Sequence, residues 1–163
     1  MTIDSVTQLR EWGHGIERAL NISLNIDHNG VLALGSRAGH LLGIGPIPGQ
    51  AALIFTGLIG VADDTMRADT LCALLAANMD PRWSGSGSIA AVPQTREIVY
   101  RLIWAPDEPH WTESVFVAVL EAFAKHVDVL ATAVANREIE QILMVATSAN
   151  AAADHAPTST DLV

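Results

Sequence analysis

The chain has 163 residues, of which 50% are hydrophobic and 17% charged, and its formal net charge is -9. This length suits one domain of ordinary size with little room for a second. Eighteen acidic residues against nine basic ones repel a phosphate backbone, so nucleic acid is not an expected partner.

The content of cysteine and of apolar residues limits the compartment and the class of protein. A single cysteine, Cys72, excludes an intrachain disulfide and a cysteine-rich zinc site. The mean hydropathy of +0.30 is high for a small acidic protein and predicts apolar surface that a second copy or a client protein covers. No apolar run approaches the ~20 residues of a membrane span, and no basic, apolar leader is present. We therefore expect a cytoplasmic protein without membrane insertion.

A helix and a β-hairpin are predicted at the start of the chain. Apolar residues recur at steps of three and four over Ser5–Leu20, which is typical of one helical face. Residues 22–26 then alternate between apolar and polar, as a half-buried strand does. The turn-forming triplet His28-Asn29-Gly30 follows, and residues 31–34 continue as a second strand.

A loop, a strand and a helix are predicted next. Residues 35–50 are crowded with glycine and proline, which favours a loop with at most a short strand. The continuous apolar run Ala51–Ile59 is typical of a buried strand. Asp63 or Asp64 is expected to cap the second helix. The apolar residues of this helix lie on more than one of its sides. This helix is therefore predicted to be buried or shared with a partner subunit.

Two strands and a long helix complete the predicted domain. Residues 78–88 are predicted as a turn, and strands follow at Ser88–Val92 and Arg96–Trp104. The final helix opens at Thr112–Glu113, and its apolar seam stays compatible with a helix to about Ala146.

The predicted fold class is α+β: a helix, three strands, a helix, two strands and a long C-terminal helix, with helices packed on an antiparallel sheet. Residues 1–146 are expected to form one domain. Residues 147–163 are small and polar and are expected to be a disordered tail, because they cannot bury enough apolar area to offset the entropy of ordering.

Candidate chemical groups are sparse. Six histidines are scattered, with no two placed together on one helix face, so no metal site is expected. Asp27 and His28 could form an acid/base pair, but a turn position explains both. Asp63 and Asp64 could bind a cation, although a helix cap explains them as well. Cys72 lies within an apolar helix, where a thiol usually behaves as a small hydrophobe. These patterns predict neither catalysis nor a cofactor.

Two segments resemble a known family. Leu71–Met79 followed by Gly85–Ala90 resembles the segment that joins the second helix to the fourth strand in the class I chaperones of bacterial type III secretion, the Tir chaperone or CesT-like family. The predicted order of elements also matches that family over Ser5–Leu130, roughly four fifths of the chain. In the last hairpin, Val92–Arg96 stands where the family often has Asp-Pro-Glu-Thr-Gly.

The resemblance implies a cytoplasmic homodimer joined through the second helix and the adjoining strand. Such a dimer binds the N-terminal segments of one or more type III secreted effectors in extended form and keeps them soluble and competent for secretion. The secretion ATPase is a further implied partner, and no cofactor is implied. The residues expected to contact the effector are Trp12, Ile16, Ile22, Leu24, Ile26, Leu32 and Leu34. The residues expected at the dimer interface are Leu71, Leu74, Leu75, Met79 and Trp83.

Two other classes of function remain open from the sequence. A small-molecule-binding or regulatory α+β domain would enclose an apolar pocket between the sheet and the long helix. An enzyme would bring Asp27, His28 or the Asp63–Asp64 pair together in one cleft.

Overall fold

Six strands and four α-helices make up the part of the chain that the computed structural model describes, which is residues 4–20, 24–62 and 66–143. The helices are α1 (Ser5–Leu20), α2 (Ala68–Ala77), α3 (Pro81–Ser84) and α4 (Glu113–Ala135). The strands are β1 (Asn25–Ile26), β2 (Leu32–Gly35), β3 (Leu41–Pro46), β4 (Leu53–Val61), β5 (Ser88–Val92) and β6 (Glu97–Trp104). The 3₁₀ turns are Glu108–His110 and Glu138–Glu140.

All strand pairs are antiparallel, and the order in the sheet is β1-β2-β3-β4-β6-β5. The two edges are therefore β1 and β5. This architecture confirms the predicted α+β class. Among the described residues, no helix is long and apolar enough to cross a membrane.

Four strands, rather than the predicted three, precede α2. The additional strand is β3, which lies within the segment that was expected to be mainly a loop. Its Leu42 and Ile44 are fully buried. Gly43 and Gly45 occupy the alternate positions of the strand. Glycine weakens the local signal for a strand. Pairing with β2 on one side and β4 on the other stabilises the strand nevertheless.

The ends of the helices match the local signals in part. The side chain of Thr112 accepts a hydrogen bond from Val115 N–H, 3.3 Å, which caps α4 as predicted. In contrast, α2 begins only at Ala68, after Arg67, so the predicted start at Asp63 or Asp64 is wrong for this helix. Asp63 and Asp64 themselves lie outside the described residues.

The predicted turn before β5 contains the short helix α3. The carboxylate of Asp80 accepts from Arg82 N–H at 3.0 Å, and Pro81 occupies the first helical position. Proline suits this position because its missing N–H would have no partner inside the helix.

Helix α4 ends at Ala135, 11 residues before the predicted Ala146, and helical structure resumes over residues 138–143 after a break. Arg137 follows in the left-handed conformation, with a φ of 60°, and interrupts the helix. Ile139 then becomes fully buried where the 3₁₀ turn packs on α2, and the hydroxyl of Thr70 donates to the Glu140 carboxylate. This tertiary contact overrides the helical periodicity of the segment. The predicted tail, residues 147–163, lies outside the described residues.

The core lies on one face of the sheet. Helix α4 packs across β4, and α1 contacts β3. The ring of Phe55 lies 5.4 Å from that of Phe123 and 5.9 Å from that of Phe116, between centroids. On the opposite face, Leu41 and Ile103 are exposed.

Gly57 sets the distance between β4 and α4. A Cβ atom at this position would overlap the side chain of Val127. We expect Gly57→Ala to lower the free energy of unfolding by about 1–3 kcal/mol, because the helix must move or Val127 must leave its preferred rotamer. In denaturant unfolding, the double variant with Val127→Ala should be more stable than the sum of the two single effects predicts.

Gly43→Ala is the matched control, since its new Cβ would approach only Val31, at 4.0 Å. This variant should retain the stability of the wild type. Strictly additive effects of Gly57→Ala and Val127→Ala would contradict the contact.

Candidate functional site

The candidate site is the β1 edge together with the adjoining surface of α1. A Cβ on Gly13 of α1 would lie 3.1 Å from Ile26 Cδ1, so the helix backbone lies directly beside β1. Ile16, Leu24, Ile26 and Leu34 are partly buried and pack against the core. Four of the residues expected to contact an effector are thus partly accessible around this edge. Ile22 lies outside the described residues.

Two residues expected to contact the effector belong to the core instead. Trp12 is 4% exposed, and its ring stacks on Phe116 at 4.9 Å between centroids. Leu32 is 0% exposed on the inner side of β2. The alternation of the sequence identifies apolar faces, but it cannot say whether the chain's own helices cover them. In this structure, Trp12 packs among the rings of Trp104, Trp111 and Phe116, and Leu32 belongs to the same buried core.

The backbone of β1 presents polar groups to a possible partner strand. Asp27 N–H donates to Val31 O at 3.0 Å, so Asp27 faces β2. Because main-chain groups in a strand point alternately to the two sides, those of Ile26 point away from β2, and the same alternation extended to Leu24, the residue before β1, directs its N–H outward as well. They form the outer edge of the sheet.

Glu17 contacts this outer edge. Its Oε1 accepts from Leu24 N–H at 2.7 Å, and its Oε2 lies 2.9 Å from His14 Nδ1. The hydrogen bond to His14, followed by the one from Leu24, holds the pKa of Glu17 below its usual value. No local pattern in the sequence identifies Glu17 as a contact of Leu24. The hydrogen bond joins a helix to the segment beside β1, and the relative placement of these two elements is set by the tertiary structure.

The opposite edge is closed by a side chain. Asn78, at the end of α2, donates from Nδ2 to Ile89 O at 3.1 Å and accepts from Ile89 N–H at 2.7 Å. Its amide thus binds β5 as a short neighbouring strand would. The main-chain N–H and C=O of Ile89 point away from β6, and Asn78 satisfies both of these groups. The β5 edge is therefore less accessible to a partner than the β1 edge.

A second candidate surface is an apolar stripe along α2 and the turn that follows it. Leu71, Leu75 and Met79 are 40%, 70% and 87% exposed and recur every four residues. We call these three residues the α2 stripe. Cys72, on the same helix, is also exposed.

The other two residues expected at the dimer interface lie away from this stripe. Leu74 is 4% exposed and packs in the core, so its prediction as a surface contact is wrong. Trp83 is partly buried beside α4, and its carbonyl oxygen lies 2.7 Å from His126 Nε2.

The residues of the enzyme alternative have structural roles where they are described. The Asp27 carboxylate accepts from the N–H groups of Asn29 and Val31, both at 2.8 Å, and so stabilises the β1–β2 turn. These backbone bonds, led by that of Val31, lower the pKa of Asp27. Within residues 4–20, 24–62 and 66–143, no group of three or more His, Cys, Asp or Glu is placed to hold a metal ion.

One cavity among the described residues is an open surface groove rather than an enclosed pocket. It has a volume of about 810 Å³ and lies between the start of α1 and the turn after β3. Its lining includes Asp4, Val6, Val31, Ile47 and Pro48. The small-molecule alternative predicts a closed apolar cavity between the sheet and α4, and this groove has neither that position nor that shape.

A polar cluster, which sequence reasoning missed, fastens the β2–β3 turn to α4. The hydroxyl of Ser36 and the ring of His40 both bind Asp128 Oδ1, with His40 Nδ1 at 2.8 Å. Burial acts to raise the pKa of Asp128, but the hydrogen bonds from Ser36, His40 and the backbone of Ala38 outweigh it and hold the pKa below its usual value. The ionised carboxylate therefore stabilises the folded state.

We expect Asp128→Asn to destabilise the protein most near neutral pH. Because the folded-state pKa lies below the ordinary value of 3.8, the stabilisation is present above that value and is lost as the pH falls through the folded pKa. The difference in free energy of unfolding between wild type and variant should shrink below about pH 4. Urea unfolding across a pH series measures it, with Glu121→Gln on the exposed side of α4 as the control. A difference independent of pH would contradict this role.

The comparison with known proteins rests on structure. No family model matches the sequence, and no curated protein has significant similarity to it. A chain of the HopA1–SchA chaperone–effector complex superposes with a TM-score of 0.61 and 12% identity, over 80% of this chain and 98% of that one. A chain of the ExsC–ExsE complex gives a TM-score of 0.66 and 13% identity, over 80% and 96%.

A third neighbour is a chain in the structure of the Yersinia pestis type III secretion chaperone SycH in complex with a stable fragment of YscM2. Its TM-score is 0.51 at 15% identity, and the match covers 77% of this chain and 98% of that one. The matched chains are thus covered almost completely, whereas about a fifth of this chain lies beyond each match. At these identities the likeness concerns the fold. The chain has the fold of a class I type III secretion chaperone, as its resemblance to that family predicted.

Proposed function

We propose that this protein is a type III secretion chaperone that binds the N-terminal segment of an effector in extended form. The outward main-chain groups of β1, flanked by the partly buried Ile16, Leu24 and Ile26, carry this proposal. The solved complexes of the same fold support it, since they include chaperones bound to their partners. On this proposal the protein acts in the cytoplasm, keeps its effector soluble and delivers it to the secretion ATPase.

An extended client fits this edge for a physical reason. A strand added to a sheet edge gains main-chain hydrogen bonds whatever its sequence, while alternate side chains enter apolar sites and provide specificity. Ile16 and Ile26 would offer such a site where α1 meets β1. The net charge of -9 would attract a basic segment and keep the complex soluble.

We propose in addition that two copies associate through the α2 stripe. Its three large side chains, two on α2 and one in the turn that follows it, are exposed, and their burial by a second copy would remove apolar surface from water. A two-fold axis through this region would bring the stripe of one copy against the same stripe of the other copy. The remaining residues expected at this interface, Leu74 and Trp83, would support the stripe from within the protomer.

Purification of the tagged protein from its native host, followed by mass spectrometry, tests effector binding. We expect a secreted protein to co-purify in stoichiometric amount, and truncation should map the contact to its N-terminal segment. Leu24→Asp should abolish this capture, because it places a charge in the apolar site beside the edge.

The control is Ala33→Asp, which places the same charge on an exposed residue of the neighbouring strand. It should retain the effector. Circular dichroism and the oligomeric state must match the wild type in both variants. Undiminished capture by a folded Leu24→Asp variant would contradict the proposed site.

Leu75→Asp tests the proposed dimer. We expect the wild type to be a dimer and the variant to be a folded monomer, because an aspartate in an apolar interface cannot be solvated or paired. Sedimentation equilibrium measures both species. Val129→Asp, at an exposed apolar position on α4, is the control and should remain dimeric. A dimeric Leu75→Asp variant would contradict an interface through the α2 stripe.

A further inference from the structure

We propose that Glu17 is a replaceable block on the β1 edge, which we call the guard, and that an incoming effector strand takes its place as the acceptor for Leu24 N–H. The inference deepens the proposed function and rests on it for the identity of the incoming strand. The observation that carries it is the side-chain hydrogen bond from α1 to the backbone of Leu24, the residue immediately before the edge strand β1, with Leu24 N at 2.7 Å from Glu17 Oε1.

Both edges of the sheet have a side chain bound to their outward main chain. Unprotected edges pair with other chains, and proteins commonly block them. Asn78 blocks β5 and Glu17 blocks β1, each from a neighbouring helix. The two blocks differ in chemistry, and that difference distinguishes a permanent closure from one that a partner can replace.

Asn78 binds both polar groups of Ile89, so a partner strand would have to break two hydrogen bonds there. At Leu24, Glu17 binds the N–H group alone, because a carboxylate has no donor to offer a main-chain carbonyl, and its other oxygen contacts His14. A strand carbonyl can accept from Leu24 N–H in place of Glu17. The released carboxylate, whose side chain is 24% exposed, can then be solvated or bind a cationic side chain of the partner.

The spacing of the edge suits an extended peptide. Leu24 and Ile26 both direct their main-chain groups outward, and two residues along a strand separate them by about 7 Å. The same repeat separates the carbonyl groups on one side of an added strand. We therefore assign the position to an extended segment of the effector.

The first measurement is backbone amide exchange by NMR on the full-length chain. In Glu17→Ala, the Leu24 amide should exchange faster than in the wild type, while the amide of Ile89, held by Asn78, should keep its protection. Glu17→Gln retains an acceptor oxygen and should show an intermediate rate at Leu24. Unchanged exchange at Leu24 in a folded Glu17→Ala variant would overturn the guard.

The second measurement uses a synthetic strand, the capped octapeptide of four Thr-Val repeats. Glu17→Ala should bind it roughly tenfold more tightly than the wild type does, since a hydrogen bond to a charged group no longer competes. The same peptide with alternate amides N-methylated, so that it cannot pair with an edge, should lose this gain. Equal gains for both peptides, or no gain for either, would overturn the proposal.

Glu11→Ala is the charge control, because Glu11 lies on an exposed part of α1 and binds Gln8 rather than β1. It should leave both the Leu24 exchange rate and peptide affinity unchanged. If Glu17→Ala forms larger oligomers as its concentration rises and gains no peptide affinity, the guard prevents pairing between copies, and its role in effector entry is overturned.

The two proposals can fail separately. Capture of an effector from the host, together with unchanged peptide affinity in Glu17→Ala, would leave the chaperone function standing and remove the guard. A gain in peptide affinity without any captured effector would support a guarded strand-binding edge and remove the type III effector as its natural occupant.

Discussion

The close contact between α4 and β4 is the constraint on which the rest of the structure depends. Gly57 allows the helix to approach, and Val127 fills the space that a larger residue would take. The rings of Phe55, Phe116 and Phe123 pack beside this contact. The core forms on this face of the sheet, and apolar side chains on the opposite face stay exposed. The helix does not cover the two sheet edges, so other groups must keep these edges from pairing with another chain.

Protection of the edges connects the fold to its proposed function. Asn78 satisfies both polar groups at one position of β5, whereas Glu17 satisfies a single donor beside β1. The chain thus carries one firmly closed edge and one edge whose block is replaceable by a strand carbonyl. On the proposed function, this asymmetry would direct a client to the side of the sheet where α1 supplies apolar contacts. The α2 stripe would then be left for the proposed contact with a second copy.

Local signals predicted much of the fold. The first helix has the predicted bounds, and the Thr112 cap opens α4, because periodicity and capping depend on residues close in sequence. The glycine-containing β3 and the end of α4 before Arg137 were not predicted correctly. Pairing with strands on both sides creates β3, and the burial of Ile139 against α2 redirects the chain after α4. Neither contact leaves a short-range pattern.

The sequence by itself determined the fold class, the family resemblance and the segments that carry an apolar face. The tertiary structure decided which of those apolar residues are core and which are surface. Leu74 and Leu75 are neighbours in one apolar helix, yet one is 4% and the other 70% exposed. Trp12, expected at the surface, is enclosed by aromatic rings. Periodicity records where apolar side chains point, but only the docking of distant elements determines what covers them.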